Sequence, residues 1–131
     1  MAASSAGLHE SAESMSPQLI DRHRAIVSIQ EELEAVDWYD QRAAATDDPS
    51  LAAILVHNRD EEKEHASMML EWLRRHDAAL DKHLRTYLFT DAPVTEIEVD
   101  VEHDEGAGTA SAAQPRPADG SLGIGGLRGR P

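Results

Sequence analysis

The sequence predicts an all-α fold: a helical hairpin followed by a short third helix, with a four-helix bundle completed by dimerisation. Three observations predict it. Apolar residues between 16 and 90 recur at steps of three and four, the period of a helix with one buried face. Two start signals, Ser16-Pro17 and Asp48-Pro49, each place a good N-cap before a proline at the first helical position. Glu62 and His65 then stand one helical turn apart inside the apolar stripe of the second helix, where ionisable groups need a partner.

The elements follow in order. Residues 1–15 are small and polar and predict a flexible N-terminus. The first helix runs from Pro17 to about Arg42, with Ile26, Ile29, Leu33 and Val36 as its stripe. A polar turn, Ala45 to Asp48, leads into a second helix reaching roughly Arg75, whose stripe is Leu51, Ile54, Leu55, Met69, Trp72 and Leu73. A third helix is expected from Asp77 to Phe89, carrying Leu80, Leu84, Tyr87 and Leu88 and stopped by Thr90-Asp91-Ala92-Pro93. Together residues 16–90 form the helical domain. Val94 to Val101 alternates apolar and acidic residues imperfectly, which suits an extended arm or no regular structure. Residues 91–120 are first acidic, then rich in Ala, Gly, Ser and Pro, and predict a disordered linker. In the final segment, 121–131, three aliphatic residues return between glycines: Leu122, Ile124 and Leu127.

Composition narrows the chemistry. The chain has 131 residues, with 25 acidic against 12 basic side chains and a formal net charge of −13. That excess repels nucleic acid and anionic membranes and attracts cations. There is no cysteine, so disulfides and thiolate-held metals are excluded, while carboxylates and seven histidines remain as donors. No apolar run reaches spanning length and no signal-peptide pattern opens the chain, so a cytoplasmic protein is expected.

At about 100° per residue, Glu62 and His65 straddle the stripe of the second helix, and Glu32 lies at the edge of the first beside Ile29 and Val36. Tyr39 shares that edge; Glu31, Glu34 and Trp38 point away from it. Leaving such carboxylates unpaired in a seam costs several kcal/mol, against a total stability of only ~5–15 kcal/mol. No Lys or Arg lies on the same stripe, so a metal ion is the economical partner. One Glu plus a Glu-x-x-His offers oxygen and nitrogen ligands, half the set used by ferritin-like di-iron bundles. A second copy across a two-fold axis would supply the other half.

Residues 22–90 resemble the encapsulated ferritins, cargo proteins of bacterial encapsulin nanocompartments. The likeness rests on Arg22-His23-Arg24-Ala25-Ile26-Val27-Ser28, on Glu31-Glu32-Leu33-Glu34-Ala35-Val36-Asp37-Trp38-Tyr39-Asp40, and on His57-Asn58-Arg59-Asp60-Glu61-Glu62-Lys63-Glu64-His65. The tail Ser121-Leu122-Gly123-Ile124-Gly125-Gly126-Leu127 resembles their cargo-loading peptide. The resemblance implies a truncated ferritin that forms homodimers and, from five of them, a ring-shaped homodecamer. It implies a di-iron ferroxidase centre at the dimer interface, held by Glu32, Glu62 and His65 of both chains with Tyr39 nearby. It gives Glu31, Glu34 and Trp38 a secondary role in admitting metal, and Leu122, Ile124 and Leu127 the task of anchoring the chain to the encapsulin shell protein. Fe²⁺ and O₂ are then its substrates, with no nucleic acid or membrane partner.

Blander readings stand beside these. Tyr39 suits a packed aromatic hydroxyl as well as a redox role, and Trp38 among acids suits an assembly contact as well as metal admission. His57 reads as structural and Met68-Met69 as core filling. A non-catalytic iron buffer or chaperone would use the same ligands, and a pure scaffold would leave Glu62 and His65 without a purpose.

Overall fold

The computed structural model describes residues 7–110, with side chains to 107. Helix α1 spans Pro17–Ala45, α2 Pro49–His76, α3 Ala78–Tyr87 and α4 Val94–Ala110. There is no strand among the described residues. A single 3-10 turn, Ala12–Ser14, precedes α1, so part of the segment expected to be flexible holds a defined turn.

Each helix begins where its cap chemistry directs. Ser16 Oγ accepts a hydrogen bond from the Leu19 amide at 3.2 Å. Asp48 Oδ1 accepts from the amides of Ser50 at 2.8 Å and Leu51 at 3.4 Å. Asp77 ends α2 and at once caps α3, accepting from the Leu80 amide at 3.0 Å. Such caps satisfy backbone donors that the first turn leaves free. α1 runs three residues beyond the expected Arg42, through Ala43, Ala44 and Ala45, because alanine is the best helix former.

α3 stops at Tyr87, short of the expected Phe89. Leu88 donates back to the Leu84 carbonyl at 2.9 Å, and Phe89 then adopts a left-handed backbone, φ 59°. Glycine usually takes that position; an L residue there costs about 1–2 kcal/mol.

α1 and α2 pack antiparallel along most of their length, and α3 packs against the end of α2. Arg74 fastens that corner by pairing with both Glu71 and Asp81. Arg74 and Arg75 together hold the Glu71 carboxyl down at about 2. Trp72 stacks on His76, ring centroids 3.9 Å apart.

The interior of one chain is thin. Among the described residues Ala25, Val27, Ala66 and Leu73 are the buried apolar side chains. Much of the predicted stripe instead faces outward, because the seam between the helices runs beside it. Ile26, Leu33 and Leu19 are exposed on α1; Leu51, Ile54 and Met69 are exposed on α2, with Leu33 at 55 % and Ile54 at 57 %. By helical phase the two sets lie on opposite sides of the seam, and the α2 set shares its flank with His65.

The hairpin and α3 form one compact unit ending at Leu88, and α4 belongs to a second beginning at Phe89. α4 corrects the expectation of irregular chain from residue 91. Its start is set by the Pro93 carbonyl, which accepts from the amides of Glu96 at 3.0 Å and Ile97 at 3.3 Å. Glu96 complements the positive helix end, and Glu102, Glu105, Ala107 and Ala110 favour continuation. The alternation of Val and Ile with acids is outweighed by these local preferences. No helix among the described residues is long and apolar enough to cross a membrane. Residues 111–131, with Leu122, Ile124 and Leu127, lie outside the described residues.

Candidate metal centre

Three predicted ligands converge across the α1–α2 seam. One ligand atom each from Glu32, Glu62 and His65 lie within 4.8 Å of one another. His65 Nδ1 is 3.1 Å from Glu62 Oε2 and 3.8 Å from Glu32 Oε2. The first contact follows from i, i+3 spacing on one helix. The second depends on the hairpin, which brings residue 32 of α1 beside the middle of α2.

The electrostatics are those of a site lacking positive charge. Glu32 hydrogen-bonds to Glu62, and this contact is the main cause of a raised Glu32 pKa, with burial adding to it. Glu62 moves the other way, lowered by accepting that bond and by its contact with His65. His65 is raised from 6.5 chiefly by the Glu62 carboxylate. The two facing carboxylates thus make ionisation of Glu32 harder, while both favour the charged form of the imidazole beside them. A cation would satisfy all three groups at once, releasing protons as it binds.

The ligands are more open than a core position implies. Within one chain the side chains of Glu32 and Glu62 are 27 % and 23 % exposed and His65 is 48 % exposed. His65 lies on the flank of α2 that also carries the exposed Ile54 and Met69. Three donors leave a transition ion with open coordination positions. The donor set of two carboxylates and one imidazole fits iron.

The other predicted residues are placed separately. Tyr39 is half-buried on α1, two turns beyond Glu32, and its ring centroid is 5.7 Å from the Arg42 guanidinium. Arg42 also lies 5.8 Å over the Trp38 ring. Trp38 and Glu31 are exposed and Glu34 is partly exposed, on the side of α1 away from the seam. None of the three joins the ligand cluster. His57 pairs with Glu61 at 3.1 Å on the outer surface of α2. Sequence reasoning missed the partner of Arg59. This side chain reaches from α2 to Asp40 on α1 at 2.7 Å while also bonding Asp60 at 2.9 Å.

A helical hairpin with a Glu on one helix and a Glu-x-x-His on the next has the fold of the ferritin-like class and matches half of the ligand pattern its carboxylate metalloproteins use. Comparison with known proteins agrees with that class and narrows it. The EncFtn-like family model matches residues 7–91, and the chain belongs to that family. It is similar to an encapsulated ferritin-like protein of Rhodospirillum rubrum, 59 % identical over 98 % of this chain and 93 % of that one. A ferritin-like protein of Thermotoga maritima is 54 % identical over 69 % of this chain and 79 % of its own. An encapsulin nanocompartment cargo protein of Myxococcus xanthus is 34 % identical over 71 % of this chain and 70 % of its own. Among solved structures, protein ne0167 of Nitrosomonas europaea is 58 % identical with a TM-score of 0.65, covering 67 % of this chain and 97 % of that one.

Proposed function

We propose that this protein is a ferroxidase, oxidising Fe²⁺ to Fe³⁺ with O₂ at a di-iron centre shared by two chains, for iron storage and detoxification inside an encapsulin shell. The observation that carries the reading is the convergence of Glu32, Glu62 and His65 within 4.8 Å. These residues match half of a ferritin-like ligand set, and His65 shares its flank with the exposed Leu51, Ile54 and Met69, which a second copy would cover. Two ferrous ions bound there as substrate would supply two electrons, which with two protons from water would take O₂ to hydrogen peroxide.

The chain's own groups divide the work. The excess of acid, −13 overall, raises the local concentration of cations. Glu32 and Glu62 offer hard oxygen donors, which favour the higher charge of the product. His65 adds a nitrogen donor. Tyr39 orients the site from the same edge of α1. Glu31, Glu34 and Trp38 on the outer side admit metal.

Assembly completes the site. The flank carrying His65, Leu51, Ile54 and Met69 would meet its copy across a two-fold axis, giving one four-helix bundle from two hairpins. The opposite flank, with Leu19, Ile26 and Leu33, offers a second self-contact. Alternating two such contacts closes a ring with an even number of chains, in keeping with five dimers in a decamer. The family and the relatives' names support placement in a bacterial cytoplasm inside a shell. Leu122, Ile124 and Leu127 would tether the chain to the shell protein by seating aliphatic side chains in a groove, with glycines allowing close approach. Deleting residues 121–131 should abolish retention in co-expressed shells while leaving Fe²⁺ oxidation by the free protein unchanged. Retention of the truncated chain would overturn the tethering role.

Oxygen uptake on adding Fe²⁺ tests the activity. Uptake that continues through many irons per site is the expected result. Uptake that ends once the sites are filled would instead support a non-catalytic buffer or chaperone, which the same ligands also suit.

A further inference from the structure

We propose that Arg59 is a positioning residue for the metal centre: its tie to Asp40 sets the register of α1 against α2, and so the separation of Glu32 from Glu62 and His65. The inference rests on reading those three residues as metal ligands. It adds a residue that touches none of them.

Glu62 and His65 are on the same helix, so the local backbone fixes their spacing. Glu32 is on the other helix, and its distance from them depends on how α1 slides along α2. Packing holds that slide weakly, because the seam is built on Ala25 and Ala66 with few large buried side chains. Small residues bring helices close but interlock poorly.

A polar tie with a definite length resists sliding better. The Arg59 guanidinium accepts no ambiguity of this kind: Nη1 donates to Asp40 Oδ1 at 2.7 Å, and Nε donates to Asp60 Oδ1 at 2.9 Å. The Arg59 side chain is 22 % exposed and Asp40 is 52 % exposed, so the tie lies at the edge of the seam with the arginine as its sheltered end. Asp60 braces the guanidinium from its own helix, so the end that reaches Asp40 is pre-aimed.

The lever lengths make register the controlled quantity. Arg59 is three residues from Glu62, about 4.5 Å along α2, whereas Asp40 is eight residues from Glu32, about 12 Å along α1. The difference between the two offsets is spanned by the arginine side chain. A shorter or absent arm changes the offset and moves Glu32 past its partners. Farther along the hairpin, Arg22 Nη1 donates to the His76 carbonyl at 3.4 Å, so the ligands lie between two ties, of which Arg59–Asp40 is the shorter.

The test uses the full-length chain with Co²⁺ alone as probe, reading affinity and the visible ligand-field bands. Arg59→Ala should weaken Co²⁺ binding by about tenfold and alter the bands, as losses beyond the ligands themselves commonly do. Asp40→Asn should act in the same direction, and the double variant should be no worse than Arg59→Ala. Arg59→Lys, which keeps the charge but loses the fork, should recover part of the affinity. Arg74→Ala breaks the ion pairs of the α2–α3 corner and should leave Co²⁺ binding unchanged. The proposal is overturned if Arg59→Ala keeps both affinity and bands, or if Arg74→Ala reproduces its effect, which would mark a general loss of stability. Failure of the wild-type chain to bind Co²⁺, or undiminished binding by Glu62→Ala, would instead remove the metal-centre reading itself.

Discussion

Replacing Glu62 with alanine should lower the rate of Fe²⁺ oxidation by a factor on the order of 100 or more while leaving the helices intact. Glu62 occupies the middle of the cluster. It is bonded to His65 on its own helix and hydrogen-bonded to Glu32 across the seam. Its loss takes an oxygen donor from each chain and, in a two-fold site, two from the pair. The fold should not suffer for it. The facing carboxylates hold Glu32 in an unfavourable state, and alanine is the better helix former. The metal-free variant should therefore unfold no more readily than the parent. Circular dichroism on heating and oxygen uptake after adding Fe²⁺ read the two halves of this expectation. Full oxidation with Glu62 absent would mean that iron reacts elsewhere, and the scaffold reading would regain its force.

The second large effect concerns association. Ile54→Asp should convert the assembled protein into single hairpins and remove oxidation along with the assembly. Ile54 is 57 % exposed in one chain, so a polar residue there should change the stability of the isolated hairpin by no more than about 0.5 kcal/mol. Eleven residues, about 16 Å of helix, separate it from His65, so it cannot reach the ligands. Its effect can come only through the flank it shares with them. Across a two-fold axis the new aspartate would desolvate a charge against apolar neighbours and face its own copy. Native mass spectrometry beside oxygen uptake checks the coupling. If the hairpin oxidises iron at full rate as a monomer, the shared-centre reading fails.

How much of this was legible in the sequence depends on the range of each interaction. Ser16 and Asp48 act within three residues, and the helix starts they predict are the ones found, while the third helix begins one residue after the expected Asp77, which caps it. Glu62 and His65 are likewise local. Glu32 was legible because helical phase placed it on the edge next to α2. The sequence pattern misled twice, at Phe89, where a left-handed residue follows α3, and at Val94, where period-two alternation concealed a helix. The larger difference concerns burial. Period alone marks an apolar face without saying what covers it, and Ile26, Leu33, Leu51 and Ile54 are left outward by the seam. The Arg59–Asp40 tie was out of reach because it requires the pairing of two helices to be known to within a turn.

The link between α1 and α2 is short, three residues from Thr46 to Asp48. Pairing of the two helices can start beside this turn and spread outward, and helical topologies fold in roughly microseconds to milliseconds. Meeting another molecule is slower and depends on collision. If the proposed centre is shared by two chains, each newly made hairpin would wait with Glu32, Glu62 and His65 already gathered. Working centres would then accumulate by a second-order process, twice as much fresh protein making them four times as fast.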